Sequence, residues 1–179
     1  MLAFIVLILA ALTRFLPHTF HGTALNFTAV GAGLLFFGSR RPRWQAVFAV
    51  AVMASTDFVL THFVYSYPFH ASSYLVTWFW YAAVCIMASD VLSKVTTLRV
   101  AAAIFASATG FFLLSNFAVW VGSGMYPHSS AGLVSCFVSA LPFYANDLVS
   151  TGLVATVLFG LPALAKQLAE STATAGHAA

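Results

Sequence analysis

The chain has 179 residues, of which 61% are hydrophobic and only 6% charged, against about 25% charged residues in an ordinary soluble domain. Its net charge is +3, its pI near 9.1 and its mean hydropathy +0.96. Seven basic and four acidic side chains cannot cover a water-soluble protein of this size, which excludes a soluble enzyme, a nucleic-acid binder and a secreted disulfide scaffold and leaves an integral membrane protein.

A membrane helix needs about 20 apolar residues, and the chain predicts an all-α architecture of six such spans. The first covers residues 1–16 and stops at Pro17. No charged segment precedes its apolar stretch, so no cleavable signal peptide is expected. The second, residues 24–38, is short and ends at Arg40-Arg41-Pro42-Arg43. The third covers 44–64 and is followed by an aromatic loop, Tyr65 to His70. The fourth, 74–88, ends before Asp90 and Lys94. The fifth, 100–121, breaks at Gly122-Ser123-Gly124. From 131 to 165 the chain is apolar for too long to be one span. Pro142 divides it into a short extra helix or re-entrant segment, 131–141, and a sixth span, 143–165. The expected organisation is a single six-helix domain over 1–168 and a disordered cytoplasmic tail over 169–179, rich in Ala, Ser and Thr.

Loop charges orient these spans. Arg40, Arg41 and Arg43, then Lys94 and Arg99, then Lys166, follow the second, fourth and sixth spans, whereas the other loops carry no Lys or Arg. Positive charge stays in the cytoplasm, so both termini are expected there. Arg14 alone falls at the outer level, roughly 20 Å along the first helix. Asp57 and Asp147 fall at similar depth. A lone charge inside a bilayer is costly, so Arg14 is expected to pair with Asp57 or with Asp147, either as a packing lock or as the wall of a solute pocket.

Asn26, Asn116, Trp120, Tyr144 and Asn146 collect on the same outer side and complete a candidate substrate-binding set with Arg14, Asp57 and Asp147. His18, His21, His70 and His128 are weak metal candidates there, without a recognisable ligand motif. Trp and Tyr at this level also suit an interfacial belt. Ala29 and Gly33, and Ala102, Ala106 and Gly110, recur at the four-residue spacing of close helix contacts. Cys85 and Cys136 lie in apolar runs and read as small buried hydrophobes. No Walker, HExxH or GxSxG pattern and no paired catalytic carboxylates occur, so neither enzymatic activity nor a cofactor is expected.

The segments Leu12-Thr13-Arg14-Phe15-Leu16-Pro17, Asn26-Phe27-Thr28-Ala29-Val30-Gly31-Ala32 and Phe36-Phe37-Gly38 resemble the opening of a family of small bacterial membrane proteins of unknown function. Ser115-Asn116-Phe117-Ala118-Val119-Trp120, Tyr126-Pro127, Ala131-Gly132-Leu133 and Leu141-Pro142-Phe143-Tyr144 resemble its later parts. That family is in turn similar to the substrate-binding S components of energy-coupling factor (ECF) vitamin transporters, six-helix proteins of this size. Their sixth helix often opens with Pro-Phe, Gly-Asp and then a Lys. Pro142-Phe143 and Asn146-Asp147 fit, but Ser150 stands where the Lys would be, which departs from biotin-type members that use it on a substrate carboxylate. The resemblance implies a vitamin-like solute bound on the outer side, and as partners an ECF coupling subunit and its ATPases besides the lipid bilayer. The rival expectation is a non-catalytic accessory subunit of a larger membrane complex, for which the small-residue faces and the lack of a charged translocation path speak.

Overall fold

The computed structural model describes residues 1–16 and 27–177, which are helical throughout apart from the connections, with no strand among the described residues. Helix α1 (Leu2–Leu12) tightens into a 3-10 turn at Thr13–Phe15. Helix α2 (Val30–Arg40) follows, and a 3-10 turn at Arg43–Gln45 leads into α3 (Ala46–Val59), which ends in a π turn at Leu60–Val64. A turn at Ala71–Tyr74 opens α4 (Leu75–Val91). Helices α5 (Thr97–Gly122) and α6 (Ser130–Ala155) form the longest packed pair, and a π turn at Thr156–Gly160 joins α6 to α7 (Leu161–His177). Thr96 and Ser129 start α5 and α6 in the ordinary way, their hydroxyls accepting from the amides of Arg99 and Gly132 and so satisfying donors that the first helical turn leaves open.

Among the described residues, four runs are long and apolar enough to cross a membrane: Arg43–Val64, Ala71–Val91, Thr97–Gly122 and Ser130–Ala169. Leu2–Phe15 is a shorter apolar helix. Helix α2, expected as a short span, is the buried axis of the bundle. Its residues Val30, Ala32, Gly33, Leu34, Leu35, Phe36, Phe37 and Gly38 are all buried, with α1, α4 and α6 packed around it. At about 1.5 Å per residue it reaches only about 16 Å, but a segment enclosed by protein does not have to match the thickness of the lipid.

Small residues let the neighbours close on α2. A Cβ on Gly38 would fall on the backbone of Cys85 in α4, and one on Gly33 would fall on Ala10 of α1. Phe37 fills the gap beside them, edge-on to Phe4 with ring centroids 5.1 Å apart. Cys85 is buried with its thiol toward the Leu34 carbonyl at 3.7 Å, and Cys136 is also buried and free. Of the stripe on α5, Gly110 faces Trp80, whereas Ala102 and Ala106 point outward.

Apolar side chains also cover the outside. Ile5, Ile8 and Leu9 of α1, Phe105 and Leu113 of α5, and Val134 and Val138 of α6 are exposed, while Asp57, Ser107, Ser150 and Thr151 are buried. This reverses the arrangement of a soluble protein and suits lipid as solvent.

Two expectations about the C-terminal third change. Pro142 does not divide the chain: it lies inside α6, which is continuous from Ser130 to Ala155. There is therefore no separate short helix or re-entrant segment. Proline removes one amide donor, but unwinding the helix in apolar surroundings would orphan several backbone groups, so the helix persists. The last helix also runs on to His177, into the segment expected to be disordered from residue 169. Its Ala, Leu, Gln and Glu residues are good helix formers, and no proline follows Pro162.

The bundle has a basic end. Arg43 pairs with Asp90 and donates to Ser89, Arg41 donates to Gln45 at 2.6 Å, Arg40 lies over the Phe36 ring, and Arg99 donates to the Val91 carbonyl. Met1 and Pro162 sit beside Arg40 and Arg41, which brings the start of α1 and the start of α7 to this same end.

Candidate functional site

Away from the basic end, the end of α1 is tied down by hydrogen bonds. The Thr13 hydroxyl donates to the Ala10 carbonyl at 2.6 Å and accepts from the Ala29 amide at 2.9 Å, joining α1 to the entry of α2. The next residue, Arg14, then points across to α3. Its guanidinium donates to the Met53 carbonyl at 3.1 Å and to the Thr56 hydroxyl at 2.5 Å, and forms an ion pair with Asp57. The second carboxylate oxygen of Asp57 accepts from the Trp78 indole of α4 at 2.7 Å. Asp57 is only 2% exposed. Of the two partners open to Arg14, the fold selects Asp57, and the cluster fastens α1, α3 and α4 together.

Asp147 lies across from this cluster, on α6. The Thr151 hydroxyl donates to its carboxylate at 3.4 Å, and the Ser150 hydroxyl donates to its backbone carbonyl at 3.1 Å. Ser150 and Thr151 are themselves buried, and Gly31 leaves the space that Thr151 fills beside α2. Asp147 is half-buried because it borders two cavities of about 170 Å³ each. Arg14, Thr28, Trp80, Tyr81, Ser107 and Phe111 contribute to the wall of the first. Phe111, Phe112, Ser115, Asn116 and Tyr144 contribute to the wall of the second. Asp147 and Phe111 belong to both walls, so the cavities meet there.

A wider opening of about 380 Å³ lies beyond Arg14, between Thr28, Asp57, Thr61, Tyr65, Tyr67 and Tyr74. Arg14 and Thr28 are shared between it and the first cavity. The three spaces are thus neighbours that share wall residues: a polar, tyrosine-rich mouth, a first chamber and a second chamber. Tyr74 is held at the mouth by a 2.5 Å hydrogen bond with Thr61, and Phe69, Tyr74 and Trp78 stack above the Asp57 cluster.

Of the residues expected at a binding site, Arg14, Asp57, Asn116, Tyr144 and Asp147 come together around these spaces. Tyr144 shares a 2.9 Å hydrogen bond with Thr109, and the Asn116 amide donates to the Phe112 carbonyl of its own helix. Trp120 does not reach the cavities: its indole donates to the Pro127 carbonyl at 3.0 Å and its ring meets His128. Asn146 is half-buried on α6 and lines neither chamber among the described residues. Asn26, His18 and His21 lie outside the described residues. His70 is exposed beside the 3-10 turn that opens α4. No group of three or more His, Cys, Asp or Glu side chains stands close enough to hold a metal ion, among the described residues.

Trp80, Tyr81, Ser107 and Phe111 escaped the reading of the sequence. Ser107 and Thr109 are the two hydroxyls of an alanine-rich stretch, which is a signal of a polar inward face. The aromatic residues carried no such signal, since any tryptophan or phenylalanine of a membrane helix suits lipid equally well.

No curated protein and no solved structure matches this chain. A family model does match it, over residues 1–173. The chain therefore belongs to DUF6580, a family of unknown function.

Proposed function

We propose that this protein is a non-catalytic, membrane-embedded binding component for a small solute, of the kind its resemblance to ECF S components suggests. The observation that supports it best is the group of one mouth and two chambers, the chambers sharing Asp147 in their walls, inside a bundle whose outer faces are apolar. Each chamber exceeds the roughly 150 Å³ cavity that is known to hold a benzene molecule. Aromatic walls with a few convergent polar groups are the usual make-up of a small-molecule site.

In this reading all six helical segments up to α6 lie in a bacterial inner membrane, α1 and α2 completing the set of spans. The basic end and both termini face the cytoplasm, and the tyrosine-rich mouth faces outward. Solute enters past Arg14 and Thr28. An ECF coupling subunit and its ATPases are the partners that such a component would need for uptake.

The test is to purify the protein in detergent and follow its melting midpoint against a panel of vitamins, corrinoids and divalent metals. A bound solute stabilises the folded state by about 2.7 kcal/mol at a hundredfold excess over its Kd, and a selective rise is the expected result. A flat panel, with the protein recovered in a larger membrane complex, would replace this proposal with a role as an accessory subunit.

A further inference from the structure

The charges around the chambers point to the chemical class of the solute. We infer that it is a small organic cation, an amine or quaternary ammonium bearing an aromatic or comparable apolar group, with its charged nitrogen at Asp147. This inference rests on the proposal that the two chambers are a solute site.

Arg14 and Asp147 are the only Asp, Glu, Lys, Arg or His side chains in the walls of the chambers, among the described residues. Arg14 is already paired: its positive charge is balanced by the buried carboxylate of Asp57, and it also donates to Thr56 and Met53. Among the described residues the carboxylate of Asp147 has no such ion pair. The one hydrogen bond it receives from a described residue is the long one from Thr151. With Arg14 and Asp57 cancelling, an ionised Asp147 gives the site one net negative charge, and at the expected membrane depth an unpaired carboxylate costs several kcal/mol. A cationic solute supplies the missing partner.

The walls agree with the charge. Trp80, Tyr81 and Phe111 border the first chamber, and Phe112 and Tyr144 the second. Aromatic faces attract ammonium groups, and more strongly where water is excluded. Since both chambers touch Asp147, an ammonium group beside the carboxylate leaves the second chamber for a ring-sized apolar group.

Phenethylamine, 2-phenylethanol and phenylacetate have nearly the same skeleton and carry a positive charge, no charge and a negative charge. Their affinities for the detergent-purified full chain, measured by titration of the melting midpoint and by calorimetry, test the inference. The amine is expected to bind about tenfold or more tightly than the alcohol, the scale of one charge-assisted contact. That preference should vanish in Asp147→Asn and persist in Asp147→Glu, which keeps the charge. If the alcohol or the acid binds as well as the amine, the cation inference is overturned while the chambers remain a solute site. If none of the three binds at millimolar concentration, and the broader panel is also flat, the site reading fails and the inference falls with it. The comparison among ligands uses the unaltered protein and so does not depend on any variant folding.

Discussion

Removing Arg14 tests the account of the membrane-level charges most directly. In Arg14→Ala the carboxylate of Asp57, 2% exposed, keeps the Trp78 indole as a donor but loses its only counter-charge among the described residues. Breaking one side of a buried ion pair costs roughly 3–5 kcal/mol. In a chain of this size each kcal/mol moves the melting midpoint by about 2–4 °C, so the expected fall is roughly 6–20 °C. The internal control is the second ion pair, Arg43 with Asp90, whose side chains are 62% and 53% exposed. Exposed pairs contribute about 0–1 kcal/mol, so Arg43→Ala should move the midpoint by less than about 4 °C. Both variants are measured in the same detergent by intrinsic tryptophan fluorescence on heating. A double variant, Arg14→Met with Asp57→Asn, should recover most of the loss, because a neutral amide oxygen still accepts from Trp78 without leaving a buried charge. Equal midpoints for Arg14→Ala and Arg43→Ala, or a double variant no better than the single one, would refute the argument.

Two further predictions concern close packing. Gly38→Ala sets a Cβ against the Cys85 backbone, which no rotamer change relieves, and should cost at least the roughly 1–3 kcal/mol of ordinary overpacking. Gly152→Ala, with open space around the new methyl, should be neutral or stabilise by up to about 1 kcal/mol through helix propensity; their melting midpoints should diverge in opposite directions from the parent. Gly110→Ala would meet the far edge of the Trp80 indole, a side chain in the wall of the first chamber that must shift to admit the methyl. The variant should fold with a near-parental midpoint and lose most of the stabilisation by bound solute, which the same thermal titration reads.

Composition and loop charge were enough to establish a helical membrane protein, because apolar length and the placement of Lys and Arg answer to the bilayer and not to the partner helices. The same arithmetic placed Arg14, Asp57 and Asp147 at a common depth, since rise along a helix is the same in any fold. It left open which carboxylate Arg14 would take. That choice depends on rotation: Asp57 faces α1 across a direct contact, whereas Asp147 faces a chamber.

The helical pattern failed where packing overrides it. Residues 24–38 read as a short span because they are apolar, but not as the buried axis of the bundle, a place that α2 owes to Gly33 and Gly38 admitting α1 and α4. Pro142 read as a break by its chemistry alone, yet the neighbouring turns of α6 hold the helix continuous. Chain sequence therefore determined that the protein is a set of apolar helices fit for a membrane, and that its Arg and Lys side chains gather between particular helices. Only the tertiary structure decided which residues face one another, because inward and lipid-facing sides of these helices are both apolar, and it is the closing of neighbouring helices around small residues that leaves the chambers beside Asp147.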